Sequence, residues 1–244
     1  MPFYAPRTAV WGFCKNMKKF VKFLIAFLLL PTAVFAVAAV GRIFISVFCR
    51  WQAALCFLGG AVLYGVIHFA CYNFSRPYVF IHEMTHAFAA FLCGYRVKDI
   101  SVKKESGYVK MSNTNTFVVL APYFIPGYLV VAAVLYVVAG YFVDLTPYRY
   151  AGLAAVGFLL SFHIIQTVKT LGETDQPDLT LAGGRFFSVV MILLANLVVL
   201  AVVLKILFPQ EIMLGDYCRQ IIRASLNAWR IIVNYIVEYV TNLL

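Results

Sequence analysis

Acidic charge is scarce in this chain: 244 residues include only 10 Asp and Glu, and charged residues of both signs make up 12%. A soluble domain carries about twice that share. With 63% hydrophobic residues and a mean hydropathy of +0.88, too little polar surface exists to cover a water-solvated particle. An ordinary soluble enzyme and a disordered chain are thereby excluded. No CxxC pair occurs among the six cysteines, Cys14, Cys49, Cys56, Cys71, Cys93 and Cys218, so neither a thiolate metal site nor a disulfide framework is indicated. Internal repeats and low-complexity linkers are also lacking. The net charge of +10 does not point to nucleic acid, because the basic residues flank apolar runs instead of sharing one polar face.

What the chain does have is long stretches without charge. Residues 23–41, 51–75, 111–143, 150–168 and 186–204 carry none, and 77–95 carry only Glu83. About 20 residues of helix cross the hydrocarbon core of a bilayer. The expected fold is therefore an all-α polytopic membrane protein with about six transmembrane helices, at about 23–41, 53–72, 77–93, 116–143, 148–169 and 179–208. One integral membrane domain, 1–244, accounts for the chain. Within it, 1–52 is an N-terminal interfacial segment and first apolar run, 53–208 a membrane core, and 216–244 an amphipathic C-terminal helix. Arg7, Lys15, Lys18, Lys19 and Lys22 precede the first run, which is expected to be an uncleaved span with a kink at Pro31. Gly41–Gln52 reads as an interfacial connector. After the third run and the helix stop at Gly94, the period changes. Val97, Ile100 and Val102, then Tyr108, Val109 and Met111, flank a polar turn and predict a short β-hairpin. At the C-terminus, Arg219, Arg223, Asn227, Arg230, Asn234, Glu238 and Thr241 recur every three or four residues as one polar stripe, which fits an interfacial helix.

The chemistry concentrates in His82-Glu83-Met84-Thr85-His86, an HExxH sequence inside the third apolar run. Histidines four apart share one helix face, so two imidazoles can hold one Zn²⁺ at about 2.0–2.1 Å. The adjacent Glu83 can take a proton from the water that such an ion activates. An ionisable group within an apolar run is costly, which makes a functional role the default reading. A catalytic zinc needs a third protein ligand. Candidates are Asp178, Asp175, His163, Glu173 and Glu105. Counting crossings from His86 returns the start of the sixth span to the same side and depth, which selects Asp178. Asp175, three residues earlier, and His163, inside the fifth span, are expected as supporting positions near the ligands.

These residues resemble the site-2 protease family of intramembrane zinc metalloproteases. The likeness rests on His82 to Ala90 in a membrane span followed by Gly94, on the hairpin at about 96–112, on Pro122 and Pro126, and on Gln176-Pro177-Asp178 before a late span. It covers roughly residues 75–205. It implies hydrolysis of peptide bonds in or near transmembrane segments of substrate proteins. His82 and His86 match the family's zinc ligands, Glu83 its general base, and Asp178 its later aspartate ligand. The family's Asp-Gly pair is here Asp178-Leu179, with Gly183 and Gly184 farther on. Alternatives are a non-proteolytic zinc-binding membrane protein or a transporter with a buried His/Asp relay. The expected partners are a transmembrane protein substrate and the lipid bilayer, without nucleic acid, and the expected location is the cell membrane. The basic residues Arg96, Lys98, Lys103, Lys104 and Lys110 should make the hairpin side cytoplasmic, as should the N-terminal cluster. Three full crossings between the two clusters would instead separate them.

Overall fold

The computed structural model describes residues 7–70, 74–103, 106–173 and 176–243, with side chains from Met17 onward. The chain is mostly helical. Helices α1 (Arg7–Leu28) and α2 (Leu30–Val47) are separated at Leu29. Pro31 sits in the first turn of α2, where its missing N–H costs no hydrogen bond, so the proline marks a helix start. A 3-10 turn at Phe48–Arg50 leads into α3 (Trp51–Ala70). Next come α4 (Ser75–Leu92), ended by Gly94 at φ +73°, and strands β1 (Val97–Val102) and β2 (Gly107–Met111). The two strands form an antiparallel hairpin with Ile100 opposite Val109. The rest is helical: α5 (Thr116–Leu120), a 3-10 turn at Ala121–Tyr123, α6 (Gly127–Gly140), α7 (Arg149–Gly172), α8 (Pro177–Ala182), α9 (Arg185–Leu207) and α10 (Leu214–Leu243).

Among the described residues, three stretches are long and apolar enough to cross a membrane: Leu30–Ala70, Thr146–Gly172 and Arg185–Leu207. A fourth arises if Thr116–Tyr123 and Gly127–Gly140, bent by 78°, count as one broken span. This is fewer than the six expected, for three local reasons. Helix α4 carries Arg76, His82, Glu83 and His86 and is not among the candidates. The expected sixth run is cut at Gly183–Gly184 into α8 and α9. The first two runs merge into 41 helical residues, which would be about 60 Å long if straight, twice the hydrocarbon core. They are not straight. The Phe44 and Phe57 rings lie 6.4 Å apart, whereas 13 residues of straight helix span about 20 Å. The chain therefore turns at Phe48–Arg50, inside the expected connector.

Helix α3 runs beside α7 in the same direction, with Tyr150 donating to Gln52 at one end and Tyr64 against Phe162 further along. Small residues set their spacing. A Cβ on Gly60 would fall 1.8 Å from the Ala154 carbonyl oxygen, and one on Gly157 would fall 1.9 Å from that of Phe57. Such backbone contact is how helices associate where lipid removes the hydrophobic drive between them. Ile43, Val47, Phe57, Leu153, Leu204 and Ile212 form the main buried cluster. Helix α10 returns along α2: its start packs on that cluster through Leu214 and Tyr217, and Trp229 donates to the Leu28 carbonyl at 3.1 Å. The amphipathic C-terminal helix is thus docked against the bundle over its first half.

Candidate metal centre

Helix α4 places His82 and His86 one turn apart, with ring centroids 4.8 Å from each other. Their Nε2 atoms converge on one oxygen of Asp178, at the start of α8: His82 Nε2 is 3.5 Å and His86 Nε2 3.3 Å from Oδ2. These separations exceed a normal N–H···O hydrogen bond. They match the edge of a tetrahedron, since two ligands of one zinc ion at about 2.0–2.1 Å stand about 3.3 Å apart. Among the described residues, this trio is the one group of three or more His, Cys, Asp or Glu whose donor atoms gather within 4.8 Å. The donor set of two imidazoles and one carboxylate suits zinc.

The surrounding bonds orient the donors. His86 Nδ1 donates to the Val118 carbonyl of α5 at 2.9 Å, which leaves the Nε2 lone pair facing Asp178. The Tyr123 hydroxyl donates to Asp178 Oδ2 at 3.1 Å and lies 3.3 Å from Gln176 Oε1. Its ring, fully buried, stands edge-on to His82 at 5.2 Å. The Tyr123 carbonyl accepts from Asn196 Nδ2 at 2.8 Å, and Asn196 Oδ1 accepts from His163 Nε2 at 3.1 Å. Among the described residues, His163 is linked to the trio by hydrogen bonds through Asn196 and Tyr123. It is not placed as a ligand. Glu173 accepts from Gln176 at 2.9 Å and stays outside the trio. Asp175 and Glu105 lie outside the described residues.

Glu83 is buried beside the trio and lines a cavity of about 370 Å³. Tyr78, His82, Gln166 and Thr170 form one wall and the hairpin turn, Ser106 and Gly107, another. A Cβ on Gly107 would fall 2.5 Å from Glu83 Cγ, so the turn approaches the carboxylate as closely as glycine allows. Tyr78 Oη, His82 Nδ1 and Gln166 Nε2 are buried polar atoms without a hydrogen-bond partner among the described residues. Burying such groups unpaired is costly unless a ligand or water completes them. All three residues face this cavity.

Tyr123, Asn196 and Gln166 do not stand out from the motif alone. Two carried a usable signal: Asn196 is the one amide in the uncharged run 186–204, and Gln166 sits in the uncharged run 150–168. Isolated polar residues in apolar spans mark functional interiors. Tyr123 gives no such sign, because tyrosine is common in this chain.

A family model described as Peptidase M50B-like matches residues 55–211, a stretch that contains His82, Glu83, His86, Tyr123, Asp178 and Asn196 and leaves α1, α2 and α10 outside. No curated protein and no solved structure matches the chain. With well over half of its length matched and the motif and its converging aspartate inside that match, the chain belongs to the M50B-like peptidases, the site-2 protease family that its HExxH helix resembles.

Proposed function

We propose that this protein is an intramembrane zinc metalloprotease that hydrolyses peptide bonds in or near the transmembrane segments of other membrane proteins. The observation that carries the reading is the pair of 3.3 and 3.5 Å separations from one Asp178 oxygen to two imidazole nitrogens, next to the buried Glu83. His82, His86 and Asp178 would hold the ion. When bound, zinc supplies a Lewis acid and makes a water acidic enough to lose a proton near neutral pH.

The protein's own residues do the rest. Glu83 accepts the proton from that water and later delivers it to the departing amine. Val118 and Tyr123 keep His86 and Asp178 in register, so little reorganisation is needed during reaction. Tyr78 and Gln166 offer donors to a substrate's backbone carbonyls inside the cavity. A cavity of about 370 Å³ admits an extended peptide more readily than an intact helix, which is about 10 Å across. The hairpin beside it can pair with such a segment as an added strand. Helices α1–α2, α3, α4, α5–α6, α7 and α8–α9 form six arms of the membrane-embedded unit, in a cell membrane.

The test is a comparison of Glu83→Gln with His86→Ala, using purified protein and a library of transmembrane peptides in liposomes. Glu83→Gln should retain zinc by metal analysis while turnover falls by roughly 10²–10⁴-fold, the range for loss of a general base. His86→Ala should lose both. Wild-type turnover in Glu83→Gln, or a wild-type protein without zinc, would refute the reading.

A further inference from the structure

Helix α1 lies wholly outside the family match, yet one of its side chains enters the architecture of the metal centre. Lys22 Nζ donates to the Thr116 hydroxyl at 2.9 Å and to the Ala182 carbonyl at 2.5 Å, and sits 5.4 Å from the centre of the Phe187 ring. Among the described residues its partners are neutral oxygens, with no carboxylate in reach of an ion pair. A lysine near an interface ordinarily extends its ammonium towards water; this one is turned inward.

The two oxygens belong to the two short helices that hold the site. Ala182 is the last residue of α8, a six-residue helix with Asp178 in its first turn. Its carbonyl lies at a helix C-terminus, where a cation is favoured. Thr116 is the first residue of α5, whose Val118 carbonyl orients His86. Neither helix is long enough to be stable alone. Gly183, directly after α8, has φ +141°, and a Cβ there would fall 2.4 Å from Lys22 Cδ. Glycine at 183 thus permits both the positive φ and the close approach of the lysine stem.

We propose that Lys22 is a positioning residue: its ammonium clamps the C-terminus of α8 to the N-terminus of α5 and so sets the distance between Asp178 and the histidines. The proposal rests on the metal reading above for its consequence, but not for the clamp itself.

The experiment compares full-length wild type with Lys22→Met, Lys22→Arg, Thr116→Val and the control Lys18→Met, an exposed position one turn earlier. Hydrogen exchange of the metal-free proteins should show faster exchange at 177–184 in Lys22→Met, less so in Thr116→Val, and unchanged exchange in Lys18→Met. With zinc alone as the probe, affinity should fall about tenfold in Lys22→Met, the lower end for loss of a residue that orients metal ligands. Lys22→Arg should recover part of it. Cobalt(II) in place of zinc should give a shifted visible spectrum in Lys22→Met only. Unchanged exchange at 177–184 in a folded Lys22→Met, or an affinity loss equal in Lys18→Met, overturns the clamp. A wild-type protein that binds no zinc refutes the protease reading while the exchange data still decide the clamp.

Discussion

Tyr123 joins more parts of the centre than any other single residue. Its hydroxyl supports Asp178, its ring borders His82, and its carbonyl receives Asn196, which in turn receives His163. A phenol buried in this way needs its hydrogen bond, because the hydroxyl has no water to fall back on. Tyr123→Phe removes only that oxygen. Zinc affinity should drop roughly tenfold, as for other residues that orient ligands, with the His82 ring still in place. Competition against a chromophoric chelator measures this directly. An unchanged affinity would mean that the Tyr123 hydroxyl does not help to hold Asp178 in place. His82, Glu83 and His86 are legible from spacing because one helical turn fixes their relation. Asp178 is legible only from a count of crossings. The residues that orient them are not, since a hydrogen bond to a backbone carbonyl such as that of Val118 leaves no trace in side-chain identity.

Among the elements, the hairpin is the one whose form was readable and whose placement was not. Alternating Val97, Ile100, Val102 and Tyr108, Val109, Met111 around a polar turn predict two strands, and β1 and β2 occupy that stretch. Nothing in the alternation says that the turn folds back along α4 until Gly107 meets Glu83. Both outer edges of this two-stranded sheet are unpaired within the described residues, which leaves backbone donors and acceptors for an incoming strand. Val109→Pro removes one N–H and restricts the strand. Cleavage of the liposome peptides should fall several-fold while bound zinc stays the same. Equal cleavage rates would remove the hairpin from substrate binding. The first two apolar runs illustrate the opposite case. Composition marks each as a span and Gly41–Gln52 as the connector between them, but with no proline or glycine at Phe48–Arg50 nothing says that the chain stays helical through the turn. Packing of Phe44 on Phe57 shows where in that connector the helical chain turns.

At the scale of the molecule, the contacts bear on sidedness. Lys22 closes the N-terminal basic cluster, and Thr116 follows shortly after the basic hairpin; their hydrogen bond brings the end of one cluster beside the segment that follows the other. Three complete crossings between them would conflict with the charge bias, which asks for both clusters on the cytoplasmic side. Helix α4, with 18 residues and Arg76, His82, Glu83 and His86 in its first turn and middle, is not among the spanning candidates in the described residues. With the two clusters on one side, the charge bias would put that side in the cytoplasm. Glycosylation acceptor tags at the N-terminus and in the hairpin turn should escape modification in microsomes, while a tag between α6 and α7 should be modified. A modified hairpin tag would require α4 to cross.

The donors of the centre are far apart along the chain: two imidazoles arrive with α4 and the carboxylate arrives only with α8. During synthesis the ribosome delivers His82 and His86 long before Asp178. The nascent polypeptide therefore carries an incomplete ligand set through most of its insertion. If the proposed hydrolysis needs all three donors, it must wait until α8 has joined the bundle, which would keep a half-made copy inert at the translocon.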